Sequence, residues 1–159
     1  MQFSEFMFSY GGLVLAALGM ALAIIIPGMG SARGVGMVGE AASGLMTEQP
    51  DRFGQTLILQ LLPASQGLYG FVIAIMSLER LSMEMPLQEG LFILVACLPI
   101  AIVGFPSAIA QAKISVNGIA LLAHDAEQMT KTIIYTVMVE TYALLAFVSS
   151  LIILNAVTF

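Results

Sequence analysis

Residues 132–154 read TIIYTVMVETYALLAFVSSLIIL, an apolar run with a single charge, Glu140, near its middle. An α-helix needs about 20 predominantly apolar residues to cross the ~30 Å hydrocarbon core of a bilayer, and this run is long enough. A carboxylate at the centre of such a helix costs about 2.5–3.5 kcal/mol on insertion scales. The cost is tolerated only where a proton, a cation or a basic partner neutralises the charge, which is why acids inside membranes mark ion or proton paths. The run therefore sets the class of the fold and points to where its chemistry lies.

The rest of the chain repeats the pattern. Residues 6–32, 53–78 and 90–112 contain no Asp, Glu, Lys or Arg. Of the 159 residues, 59% are hydrophobic and 9% charged, with a mean hydropathy of +0.99. A soluble domain carries about 25% charged residues, so an ordinary water-soluble enzyme is excluded. The prediction is an all-α membrane protein: one membrane domain over residues 1–159 with four transmembrane helices. The net charge of −5, with only five basic side chains, excludes a nucleic-acid partner, which would require clustered Lys and Arg. Cys97 stands alone within an apolar span, so no intrachain disulfide can form. The first residues lack a positive stretch and include Glu5, so the first apolar run is expected to remain as a membrane helix rather than act as a cleaved signal.

Three polar connections are predicted: residues 47–52 (TEQPDR), 79–89 and 124–128 (HDAEQ). Arg33, Arg52, Lys113 and Lys131 flank the first and third, and Arg80 alone flanks the second. The positive-inside bias thus puts connections one and three in the cytoplasm and both termini outside. Helices one (about 10–46) and three (about 87–123) would each extend ~55 Å, well beyond the hydrocarbon core, and should project into the cytoplasm. The chain also looks duplicated. Sliding residues 28–78 against 104–154 aligns Gly28 with Gly104, Ser31 with Ser107, Thr56 with Thr132 and Phe71 with Phe147. Two parallel hairpins follow, one over about 10–80 and one over about 87–157. In this register Glu140 faces Ala64, so only the second copy holds the acid.

Helix two supplies a partner face for that acid. Leu62, Ser65, Gln66 and Tyr69 recur at i, i+3, i+4 and i+7, one stripe of an α-helix, with Pro63 among them. A proline lacks the N–H that would bond the carbonyl four residues back, so Pro63 should kink the helix and free the Leu59 carbonyl. Measured from the cytoplasmic helix ends, Gln66, Gln111 and Glu140 all lie at about 18–20 Å. One acid, two amides, a hydroxyl and a phenol can thus converge. The same stripe is also compatible with plain packing, with Ser and Gln joining helices at about 1 kcal/mol each. As a binding site it is an all-oxygen set with one negative charge, suited to a hard monovalent cation. The glycines of helix one, including the pair Gly30 and Gly34, read as a packing surface. His124 reads as a solvated loop residue, and no zinc site is expected.

QTLILQLLPASQGLYGF (55–71), SAIAQAK (107–113) and MVETYALLAF (138–147) resemble the membrane-ring proteolipid of bacterial V-type ATPases, nearest the sodium-pumping type whose ring protein is called subunit K. The resemblance implies a ring of identical four-helix subunits, with helices one and three inside and two and four outside. It implies one Na+ per subunit, held by the Leu62 carbonyl and the side chains of Ser65, Gln66, Gln111 and Glu140, with Tyr69 hydrogen-bonded to Glu140. Ser65 stands where the sodium type often has threonine, and the hydroxyl is kept. The implied partners are an arginine-bearing membrane subunit of the stator, a central-stalk subunit at the cytoplasmic face and membrane lipids, in a bacterial plasma membrane. The chain itself would carry ions and hydrolyse nothing. Two other readings compete: the same rotor carrying protons, and a small multidrug exporter or pore, which the absence of Trp and the duplication disfavour.

Overall fold

The structure, a computed structural model, describes residues 3–156. The expected end of the second hairpin, about residue 157, and the first two residues of the start expected to stay uncleaved lie outside the described residues. Every element is helical: α1 (Phe3–Glu48), a 3-10 turn (Pro50–Arg52), α2 (Phe53–Leu61), a 3-10 turn (Leu62–Ala64), α3 (Ser65–Leu78), α4 (Leu87–His124), a 3-10 turn (Ala126–Gln128) and α5 (Met129–Asn155). Four segments are long and apolar enough to cross a membrane: α1, the rod formed by α2 and α3, α4, and α5.

α1 begins earlier than the expected residue 10. No Pro stands between Phe3 and Tyr10 to stop it, and Glu5 in the first turn complements the positive end of the helix dipole. It also runs past Thr47, so the first connection is shorter than the TEQPDR stretch. At ~1.5 Å per residue α1 is about 70 Å long and α4 about 57 Å. α4 starts at Leu87, directly after Pro86, which shortens the second connection as well. It runs through His124 and stops at Asp125. Asp125 adopts an extended backbone and accepts hydrogen bonds from the Glu127 N–H (2.9 Å) and the Gln128 amide (2.7 Å).

α1 packs along α4 more extensively than any other pair of elements, and α5 packs on α4. Small residues permit this closeness. A Cβ on Gly90 would collide with the backbone of Gly12, and one on Gly30 would sit 2.7 Å from the Phe105 Cα. The small-residue surface of α1 is thus a packing surface, as expected.

Two apolar clusters form the interior. One gathers Ala16, Ala23, Ile73, Ile93, Ile100 and Ala146; the other gathers Val38, Leu45, Leu59, Ala112, Ile119 and Leu122. Between the two, each spanning segment contributes a buried polar residue: Ser31 on α1, Gln66 on α3, Ser107 and Gln111 on α4, and Thr136 on α5. The outside of the bundle is apolar. Leu68, Phe71, Ile134, Tyr135, Tyr142, Leu145 and Ile152 are among many large side chains left exposed, the surface expected of a chain solvated by lipid or by other apolar helices.

Candidate functional site

The polar layer is organised around Pro63. A proline inside a helix removes one backbone donor, and the local answer here is a single 3-10 turn over Leu62–Ala64. That turn brings residue 65 back onto residue 62: the Ser65 N–H donates to the Leu62 carbonyl, and the Ser65 hydroxyl donates to the same oxygen at 3.1 Å. The carbonyl joined to this hydroxyl is therefore Leu62's. The expectation that Pro63 frees the Leu59 carbonyl concerns a different oxygen, four residues before the proline.

Gln66 and Gln111 are fully buried. The Gln66 amide Nε2 donates to Gln111 Oε1 at 2.6 Å, and Gln111 Nε2 donates to Glu140 Oε2 at 3.0 Å. The Tyr69 hydroxyl donates to the other carboxylate oxygen, Glu140 Oε1, at 2.5 Å. The Tyr69 ring is stacked on Phe147 with centroids 5.2 Å apart, which fixes the direction of the phenol. The structure thus brings Gln66, Gln111, Glu140 and Tyr69 into one connected chain of hydrogen bonds across three helices. Ser65 and the Leu62 carbonyl lie one turn away on the same rod.

Two details bear on what this cluster can hold. The groups donating to Glu140 are a phenol and an amide, both neutral, so neither cancels its charge. Gln66 Oε1 is buried and has no hydrogen-bond partner, a lone-pair acceptor in an interior where such groups are almost always satisfied. A surplus oxygen acceptor on the amide chain that ends on a carboxylate suits a cation. The donors are oxygens, and among the described residues no group of three His, Cys, Asp or Glu side chains is placed to hold a metal. An all-oxygen set with one carboxylate suits a hard monovalent ion.

Two serines at the site were not among the candidate ligands. Ser31 on α1 accepts a hydrogen bond from the Gly67 N–H at 2.9 Å and donates to the Ala64 carbonyl at 3.3 Å. Ser107 on α4 accepts from Gln66 Nε2 at 3.4 Å and donates to the Val139 carbonyl at 3.5 Å. The signal available in the sequence was the repeat itself, which aligns Ser31 with Ser107.

Comparison with known proteins matches this sequence to a family. The family model of the ATP synthase C subunit matches twice, over residues 18–77 and 94–153. The displacement that carries residue 18 onto 94 also carries Gly28 onto Gly104 and Ala64 onto Glu140, the register found within the sequence. The chain is 56% identical over 147 residues to the V-type sodium ATPase subunit K of Enterococcus hirae, covering 92% of this chain and 94% of that protein. It is 33% identical over 145 residues to the A-type ATP synthase subunit K of Methanocaldococcus jannaschii, covering 91% of this chain and 64% of that longer protein. A multidrug exporter is set aside by these matches. Four membrane-spanning helices, built as two copies of one hairpin and matched over both copies, make this chain an integral, multi-pass member of the ATP synthase C-subunit family.

Proposed function

We propose that the chain is the ion-carrying rotor subunit of a V-type ATPase membrane sector, and that each subunit binds one Na+ at Glu140. The Leu62 carbonyl, Ser65, Gln66 and Gln111 supply the other oxygens, Tyr69 orients the carboxylate, and Pro63 shapes the backbone. The observation that carries this reading is the unpartnered Gln66 Oε1 in the buried amide chain that ends on Glu140. A proton needs one acid in an apolar pocket; the surplus acceptor is explained by a cation. The E. hirae relative, named as a sodium ATPase subunit, supports the same ion.

Copies of the chain, each a single membrane domain with hairpins of about 10–80 and 87–157, assemble as a ring. α1 and α4 line its inner circle, and the other two rods face outward. The exposed apolar side chains of α5 around Glu140 support an outer position for the acid. Both termini lie outside and the Gln49 and Asp125 connections lie in the cytoplasm, where the central stalk would meet the ring. With Na+ bound, Glu140 is neutralised and can face lipid. At the stator an arginine competes for the carboxylate and releases the ion. Moving one charge against 100 mV costs about 2.3 kcal/mol, which ATP hydrolysis in other subunits supplies; this chain carries the ion and cleaves nothing.

The test is carbodiimide labelling of Glu140 in the assembled complex at pH 7. Millimolar Na+ should protect the carboxyl, and ²²Na should bind the purified ring. Labelling indifferent to Na+ would sink the sodium reading and leave the proton-carrying rotor.

A further inference from the structure

The interruption at Pro63 creates a local problem. The segment 62–67 carries two of the proposed ligand side chains, Ser65 and Gln66, and the Leu62 carbonyl, yet its backbone departs from regular α-helical pairing there. A helix interrupted in this way has backbone groups that need partners and fewer internal bonds to hold its direction. One side chain from another helix meets both needs. The hydroxyl of Ser31, on α1, accepts the Gly67 N–H at 2.9 Å and donates to the Ala64 carbonyl at 3.3 Å. These two backbone groups lie on either side of Ser65 and Gln66, so one buried oxygen spans the ligand-bearing turn.

The neighbouring residues make room for this. A Cβ on Gly67 would stand 3.3 Å from both Cβ and Oγ of Ser31 and 3.4 Å from the Gly28 Cα. A Cβ on Gly34 would stand 3.0 Å from the Pro63 side chain. Gly28, Ser31 and Gly34 therefore form a shallow seat on α1 into which the interrupted segment fits, with the serine as a polar contact. The second hairpin shows what the same position does without the interruption. Val139 replaces Pro63, α5 is continuous through Glu140, and Ser107 reaches the Val139 carbonyl and the Gln66 amide instead of spanning a turn.

We propose that Ser31 is a positioning residue of the cation site. Its hydroxyl staples the 62–67 segment to α1, so that the Leu62 carbonyl, Ser65 and Gln66 stay aligned with Gln111 and Glu140. This rests on the reading of the Glu140 cluster as a cation site, and the experiment separates the two. The Na+ concentration that half-protects Glu140 from carbodiimide is measured in the assembled complex, together with the labelling rate without Na+ and the thermal stability of the ring.

Ser31→Ala should raise the half-protecting concentration by about five- to thirtyfold, the effect of losing one or two buried hydrogen bonds. The labelling rate without Na+ should stay within about twofold, because Glu140 keeps its own partners. Ser31→Thr, which retains the hydroxyl, should stay near wild type. Gly67→Ala, which crowds the hydroxyl while leaving Ser31 in place, should shift protection in the same direction as Ser31→Ala and provides the answer if that ring fails to assemble. A wild-type ring that Na+ does not protect overturns the cation reading itself. A protected wild type whose Ser31→Ala and Gly67→Ala variants keep its half-protecting concentration, even if they melt at lower temperature, overturns the staple alone.

Discussion

The two hairpins began as copies and have divided the work between them. At matching positions the first has Pro63, Ala64, Ser65, Gly67 and Tyr69, where the second has Val139, Glu140, Thr141, Ala143 and Leu145. Some local structure survives in both: the Ser65 hydroxyl donates to the Leu62 carbonyl, and the Thr141 hydroxyl donates to the Met138 carbonyl, the same contact in each copy. The groups of the proposed cation site do not. The acid and Gln111 come from the second hairpin; the phenol, Gln66 and the interrupted backbone come from the first. Val35 stands where a second copy of Gln111 would be. The pair thus builds one charged site where two intact copies would build two, and the lone carboxylate draws its partners from both halves.

The sharpest way to break this comparison is to move the acid. Glu140→Gln should weaken Na+ binding by more than about 100-fold and abolish ATP-driven Na+ transport while the ring still assembles. Adding Ala64→Glu to a Glu140→Ala chain should not rescue it, because Val35 and Leu145 offer neither the amide nor the phenol. Retained ²²Na uptake in either chain would contradict the division between hairpins. The next largest effect is expected from Gln111→Leu, which removes the amide that joins Gln66 to Glu140 and leaves Gln66 Nε2 with only its longer bond to Ser107. Roughly ten- to hundredfold weaker Na+ affinity should result, read as the Na+ dependence of carbodiimide protection.

Tyr69→Phe keeps the stack on Phe147 but loses the hydrogen bond to Glu140, at about 1.5 kcal/mol or more for a bond to a charged group. About tenfold weaker binding, with ring stability close to wild type, is the expected result; unchanged affinity would make the phenol a packing residue. Pro63→Val makes the first hairpin resemble the second. It should extend one helix through residues 53–78 and weaken Na+ binding by about fivefold. A ring that binds Na+ as tightly as wild type would show that the 3-10 turn is dispensable.

The smallest effect lies outside the membrane. The Gln128 amide and the Glu127 N–H hold the Asp125 carboxyl below the usual carboxylate range. A depressed folded-state pKa means the contribution is present above the carboxyl's ordinary pKa and lost as pH falls through the folded value. Asp125→Asn should therefore lower the melting temperature slightly at pH 7, and the difference from wild type should vanish in acid.

Much of this was legible without coordinates. Charge-free runs longer than a bilayer is thick admit few structures other than helices, because every backbone group in oil must be paired within its own segment. The repeat register followed from small residues and hydroxyls recurring at one displacement. Glu140, Gln66 and Gln111 could be singled out because polar side chains in such runs are too costly to be incidental. The start of α1 was misjudged because helix ends depend on weak capping and dipole effects that hydropathy does not report.

What the sequence determined alone was the membrane class, the four spans, the duplication and the isolated acid, all consequences of side-chain solvation. Only the tertiary structure decided that Gln66 passes its hydrogen bond to Gln111 rather than directly to the acid, and that Ser31 spans the turn. Those outcomes depend on how far apart the helix axes stand and how each rod is rotated. Both are fixed by glycine contacts and side-chain packing between segments distant in the chain, which no local pattern records.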